Sequence, residues 1–286
     1  MIAFFKRVYR IGSRIRGITR FSSAGSSAPD KLKMLVVGYA RGHTFSSPGI
    51  ISHIGRRIFP DITVRPRLLD GLTLRIDPSD LSHLVVTEEV LLDQVYPLIQ
   101  VPFEPDVILD CGAHIGVFTL LALSRFPKAR LVAFEPDPAN YRLLEKQVTT
   151  NKLQVDLFHG AVSTRNGEAV FEAGRGCGGT LVAEASATAK AITVKTWDLA
   201  DYVQKLGCQR LLLKLDVEGA EEHVLPAIID ALPFECVIFL ETHGGQESWQ
   251  RLSTLLKHHS FTVAAIRRRE LYTDGLAIRT RGNKTR

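Results

Sequence analysis

An α/β fold built on a doubly wound, largely parallel sheet is predicted by three stretches of this chain. VILDCGAHIGVFTL, residues 107–120, joins a short apolar strand to the helical pattern Val117, Leu120, Leu121, Leu123 through a loop of small residues. LVAFEPDP, Leu131 to Pro138, is a second apolar strand ending in an acid, and LLLKLD, Leu211 to Asp216, is a third. Continuous apolar runs that alternate with helical periodicity belong to strands covered on both faces.

The first stretch predicts a strand-loop-helix that receives a ligand. Gly112 and Gly116 remove side chains where a ligand approaches the backbone, and the unpaired N–H groups opening the helix attract electron-rich atoms. A nucleotide-like cofactor fits there. The four-residue spacing, with Ala113 and His114 between, departs from the G-x-G-x-x-G that cradles a pyrophosphate. Asp110 suits a ligand carrying an ammonium group, as S-adenosylmethionine (SAM) does. Glu135, at the tip of the neighbouring strand, can accept both ribose hydroxyl hydrogens of an adenosine. Asp137 followed by Pro138 is an N-cap and first turn for a helix to about Thr150. The alternatives are tight packing alone for the loop and a surface acid finishing a strand for Glu135.

DCGAHIG, FEPDP, HGAVS (His159 to Ser163), TWDL (Thr196 to Leu199) and above all LLKLDVEGAEEHVL (Leu212 to Leu225) resemble the FkbM family of SAM-dependent methyltransferases, over roughly Leu69 to Arg279. The resemblance implies a Rossmann-like class I methyltransferase fold, a mixed seven-stranded sheet with helices on both faces, and an N-terminal lead-in that helps cover the active site. It also implies SAM as cofactor and O-methylation of a hydroxyl on a small molecule or a sugar or polysaccharide precursor. His114 departs from the Asn usual in such proteins, which puts the polar contact at that position in question.

The 286 residues, 45% hydrophobic and 23% charged, can bury a full core. The net charge of +6 is uneven, since Lys6, Arg7, Arg10, Arg14, Arg16 and Arg20 precede any acid. The expected organisation is a basic arm and flexible linker over 1–30, an accessory lead-in over 31–105, the SAM-binding domain over 106–280 and a basic tail over 281–286. Phe5, Val8, Ile11, Ile15 and Ile18 recur at helical spacing among the cations. The arm is thus a membrane-surface helix, an Arg- and Ser-rich transit peptide or a disordered tail. No apolar run approaches the ~18 residues of a membrane span, and the expected compartment is the cytoplasm, with organellar import an alternative.

Along the lead-in, LVVGYA is strand-like, Ile62 to Asp77 is a β-hairpin turning at Asp70-Gly71, and Glu88 to Ile99 is a helix with Val90, Leu91, Val95 and Leu98 inward. In the core, VDLFHGAVS is the third strand, where Ala161 is small enough for an adenine ring to lie against it. Glu168 to Phe171 is a short strand, and GRGCGG forms a loop that brings Arg175 and Thr180 toward a substrate. Ile192 to Thr196 is a strand, with Asp198 capping the next helix. Lys214, charged within an apolar strand, needs a carboxylate, Asp216 or Glu241. Asp216 and Glu218 close that strand where ligands bind in such sheets. Pro226 shortens or kinks the helix after Gly219. Glu241 and His243 end CVIFLETHG, and His243 is the expected general base, an imidazole near its usual pKa of ~6.5, with Glu218 the alternative. Phe261 to Arg267 and Leu276 to Arg279, joined through Thr273-Asp274-Gly275, form a closing hairpin, and Arg267 to Arg269 are solvated.

The expected site thus uses Asp110, Gly112, Ala113, His114, Gly116, Glu135, Ala161 and Asp216 for the cofactor, and His243, Asp216 and Glu218 for catalysis. Cys111, Cys177, Cys208 and Cys236 show neither C-x-x-C spacing nor a zinc pattern, so no metal site is indicated. Two other functions remain open. A nucleic-acid methyltransferase is suggested by the isoelectric point near 9.2, although the charge lies in the tails and no N-P-P-Y motif is present. A non-catalytic SAM-binding protein is the other.

Overall fold

A computed structural model describes residues 19–44, 62–78, 80–172, 180–182 and 191–280, in two compact units dividing between Gln94 and Val95. The basic arm through residue 18, the GRGCGG stretch with Arg175 and Cys177, and the tail from residue 281 lie outside the described residues. None of the described helices is long and apolar enough to cross a membrane.

In the first unit, the expected flexible linker Phe21 to Asp30 is instead packed. Phe21 is buried, Gly25 pairs with Pro66, and Asp30 accepts hydrogen bonds from Ser26, Ser27 and the Arg65 N–H. LVVGYA lies within helix α1 (Ala28–Thr44), where Met34 and Val37 are buried one turn apart, so helical periodicity overrides its β-like composition. Strands β1 (Ile62–Val64) and β2 (Leu74–Ile76) form the expected hairpin in the register Ile62↔Ile76, turning through Asp70 and Gly71 at positive φ. Helix α2 (Leu81–Thr87), capped by Asp80, runs into a π-turn over Glu88–Leu92. The helix expected over residues 88–99 therefore begins earlier and ends sooner, with Val90 and Leu91 buried as expected.

The second unit alternates strand and helix: β3 (Val107–Cys111), α3 (Val117–Arg125), β4 (Arg130–Glu135), α4 (Pro138–Thr150) and β5 (Val155–His159). After a side sheet come α5 (Leu199–Leu206), β10 (Arg210–Leu215), α6 (Glu221–Ile228), β11 (Glu235–His243) and α7 (Gly245–His258), closed by β12 (Thr262–Arg268) and β13 (Tyr272–Arg279). The strand order β12-β13-β11-β10-β3-β4-β5 is the expected mixed seven-stranded sheet, parallel from β11 to β5 with β13 antiparallel. It reverses direction of growth between β3 and β10, the switch point at which ligands bind open α/β sheets.

Alternate residues of β3, β10 and β11, including Leu109, Leu213 and Ile238, join Leu199, Val224, Ile228, Trp249 and Leu252 in one core. The opposite face carries Asp110, Lys214 and Phe239, which are neighbours in register. Both faces are covered, which is why the strands read as unbroken apolar runs. Asp137 caps α4 through the Ala139 and Asn140 N–H groups, and Asp198 caps α5. Pro226 falls inside α6.

Two expectations change here. The third-strand segment splits at Gly160 into β5 and β6 (Ala161–Ser163). Strand β6 joins a separate four-stranded sheet with β7 (Gly167–Glu172), β8 (Thr180–Val182) and β9 (Ala191–Asp198). Thr273-Asp274-Gly275 is not the closing turn but part of β13. Asp274 is buried and receives Arg267 Nε at 2.6 Å, so Arg267 is ion-paired rather than solvated. A Cβ on Gly275 would come within 2.1 Å of the Trp249 ring, which is the reason for glycine there.

Candidate active site

The site forms at the carboxyl ends of β4, β3, β10 and β11. Strand β3 hands over to the loop at Gly112, whose φ of +85 and proximity to β10 both require glycine: a Cβ would lie 1.9 Å from the Asp216 carbonyl oxygen. The two strand ends are tied together, since the Asp216 N–H donates to the Cys111 carbonyl at 3.2 Å and Lys214 Nζ donates to the Gly112 carbonyl at 2.6 Å. Gly116, also left-handed, opens α3 with no side-chain cap, so the first-turn N–H groups point out of the loop. His114 has φ +53, a conformation that Asn adopts more readily than most residues, which accounts for the usual Asn as a backbone preference.

Glu135 pins the loop from the neighbouring strand. Its Oε2 accepts the His114 N–H at 2.7 Å and its Oε1 accepts the Asp137 N–H at 2.8 Å. Burial raises its pKa and the two N–H groups oppose this, leaving it pushed up to about 7. Asp110 is fully buried. Its Oδ2 accepts Thr119 Oγ1 at 2.6 Å and its Oδ1 lies 3.5 Å from Lys214 Nζ, so it faces inward at the base of the loop. Lys214 also lies 3.2 Å from Asp216 Oδ2, answering the expected need for a partner; Asp110 and the Gly112 carbonyl are partners the sequence did not reveal. Burial opposes the charge on Lys214, but Asp216 and Asp110 raise its pKa overall. Ala113 is buried in the loop, whereas Ala161 packs with Phe171 and Val194 in the side sheet.

His243 is surrounded by carboxyls. Its Nδ1 lies 3.1 Å from Glu221 Oε1, and its Nε2 lies 3.2 Å from Glu218 and 3.4 Å from Glu241. Burial pulls its pKa down, but the hydrogen bonds to Glu221 and Glu241 win and the pKa is pushed up to about 12. The carboxyls around the ring favour its charged form, which moves the imidazole upward from the expected value near neutrality. Burial and the nearby Asp216 push Glu218 up to about 8 and raise Glu241 well above the usual range, while Lys214 and His243 hold Asp216 below it against its burial. Tyr96 adds a hydroxyl 3.3 Å from Asp216 Oδ2.

Glu221 was missed. It is fully buried and accepts the Val217 and Gly219 N–H groups as well as facing His243, so it builds the turn that carries Glu218 at φ +54. Its signal was present in VEGAE: an acid two residues past a glycine can turn back onto the amides before it.

Residues 110–265, more than half of the chain, match the Methyltransferase FkbM domain. The AMB antimetabolite synthetase AmbE of Pseudomonas aeruginosa is 29% identical over 73% of this chain, which spans only 12% of that protein's length. The 31-O-demethyl-FK506 methyltransferase FkbM of Streptomyces tacrolimicus is 26% identical over 72% of this chain and 91% of its own. The 2-O-methyltransferase NoeI of Sinorhizobium fredii is 30% identical over 55% of this chain and 70% of its own. Glycine-lined loop, uncapped helix and acid-tipped neighbouring strand agree with this match, and the chain belongs to the FkbM-domain family of SAM-dependent methyltransferases.

Proposed function

We propose that this chain transfers a methyl group from SAM to a hydroxyl oxygen of a small molecule or a sugar precursor. The observation that carries the reading is the cluster Asp216, Glu218, Glu241 and His243, partly open to solvent at strand ends beside the glycine loop. A hydroxyl nucleophile needs a proton acceptor and oriented acceptor groups, and this cluster supplies carboxylates for both. The names of relatives such as the 2-O-methyltransferase NoeI and the 31-O-demethyl-FK506 methyltransferase support the same acceptor class.

SAM supplies a methyl group on a sulfonium, whose leaving group departs as a neutral thioether. Gly112, Ala113, His114 and Gly116 give it a close backbone approach, with the open N–H groups of α3 suited to its carboxylate. Glu135 would accept from its ribose hydroxyls while holding the loop. Asp216, with a side chain 22% exposed, would meet its ammonium group, and Asp110 would act behind it by fixing Lys214. Glu218, 3.2 Å from His243 Nε2 with a side chain 27% exposed, takes the hydroxyl proton, and His243 holds Glu218 and Glu241 in position. Much of the catalysis is alignment of oxygen, carbon and sulfur.

The test pairs calorimetry with SAM and with NAD to a screen of hydroxylated acceptors, read as formation of S-adenosylhomocysteine. SAM binding with acceptor-dependent turnover is expected. SAM binding with no turnover across sugar and small-molecule acceptors, but turnover on RNA or DNA, would replace this acceptor class.

A further inference from the structure

We propose that Asp216, Glu241 and His243 form a binding site for a divalent cation of the Mg²⁺ or Mn²⁺ class. The fold makes the grouping. Leu215 of β10 and Leu240 of β11 are register partners, so Asp216 and Glu241 leave adjacent parallel strands side by side. His243 follows Glu241 by two residues and shares its face. One ligand atom from each of the three lies within 4.8 Å of the others, and their side chains are 14–22% exposed, which leaves an entry path.

The hydrogen bonding around His243 points independently to a cation. Glu221 is buried, accepts two backbone N–H groups and faces Nδ1, so the proton belongs on Nδ1. This leaves Nε2 aimed at the Glu218 and Glu241 carboxylates at 3.2 and 3.4 Å. With the proton on Nδ1, Nε2 keeps its lone pair and is the ring's ligand atom, beside the Glu241 carboxyl. A buried carboxylate fixing the far nitrogen of an imidazole is the usual support for a metal-bound histidine. Lys214 and Tyr96 both contact Asp216 through Oδ2. Two carboxylates and one imidazole suit Mg²⁺ or Mn²⁺ better than a thiolate-seeking ion.

The site's role, unlike ion binding itself, rests on the methyl-transfer reading. An acceptor hydroxyl on the cation is more acidic and loses its proton to Glu218. The oxygen–carbon bond forms as the carbon–sulfur bond breaks, and its electron pair neutralises the sulfonium.

Mn²⁺ titration of the full chain, followed by the electron paramagnetic resonance of the free ion, tests the site, with SAM calorimetry on the same sample. One saturable Mn²⁺ per chain is expected. It should weaken tenfold or more in His243→Ala, in Glu241→Gln and, through lost orientation of the ring, in Glu221→Gln. A retained melting temperature and circular dichroism spectrum would show that the variants fold. If Glu241→Gln or Glu221→Gln does not fold, His243→Ala and Asp216→Asn decide. No saturable Mn²⁺ site, or a site indifferent to His243 and Asp216, overturns the proposal and leaves His243 as an imidazolium. Mn²⁺ binding without SAM binding would keep this site and remove methyl transfer instead.

Discussion

The two ends of the parallel strands use the same charged groups to opposite effect. At the amino ends, Arg210 meets Asp106 at 2.6 Å and Arg130 meets Asp156 at 2.7 Å, each a single cation against a single carboxylate with both side chains at least 36% exposed. At the carboxyl ends, Lys214 serves Asp110, Asp216 and the Gly112 carbonyl from a side chain 5% exposed, and His243 faces three carboxyls. Water screens the first group, and its contribution to stability is small. The second group bears a desolvation cost that only close pairing offsets. The fold tolerates that cost where the glycine loop and the strand ends must be held for a ligand.

The comparison breaks most directly at Lys214. Lys214→Met keeps the bulk but strands Asp110 and Asp216, and it is expected to cost about 3–5 kcal/mol in urea unfolding. A loss under about 1 kcal/mol would place this end with the surface pairs. Gly112→Ala comes next: it adds left-handed strain to a Cβ 1.9 Å from the Asp216 carbonyl, and about 3 kcal/mol is expected together with weakened SAM affinity by calorimetry. Gly71→Ala is its control, because Gly71 has a similar φ of +87 and open space around it, so only the strain of about 1 kcal/mol should remain.

Much of this was legible because its causes are local. Asp137-Pro138 and Asp198 cap helices through amides two and three residues on, and the strands are apolar because helices cover both faces. What escaped has distant causes. Thr273-Asp274-Gly275 carries turn chemistry, yet its glycine answers the Trp249 ring and its aspartate answers Arg267. LVVGYA has strand composition but helical burial. In the site, the cofactor loop was visible as spacing, whereas the state of His243 was not. A histidine read alone has a pKa near neutrality; the carboxyls that change it come from the ends of β10 and β11 and the first turn of α6, and meet only in the folded chain.

Glu135 tests a smaller effect between the two extremes. Its folded pKa of about 7 lies above its ordinary 4.5, so the native state retains a proton that the unfolded chain releases in that interval. Its contribution is therefore fully present below 4.5 and lost as the pH rises through 7. Glu135→Gln should flatten the fall in unfolding free energy over this window, measured as urea midpoints at several pH values. It should also weaken SAM by about 1–3 kcal/mol, since one backbone N–H then meets an amide donor. An unchanged slope would mean that the two N–H groups already offset the burial.

The smallest effect is expected at the other end of the same strand, and it calibrates the rest. Arg130 donates through Nε and Nη2 to Asp156 Oδ2, with side chains 57% and 47% exposed. Arg130→Ala should cost less than about 1 kcal/mol, and adding ~1 M salt to the wild-type protein should remove most of that contribution. The penalty of Lys214→Met should persist in the same salt, because Lys214 and Asp110 are 5% and 0% exposed and buried pairs are screened far less. If salt erased both effects alike, Lys214 would be titrating in water, and the carboxyl ends would carry no stored cost for a ligand to relieve.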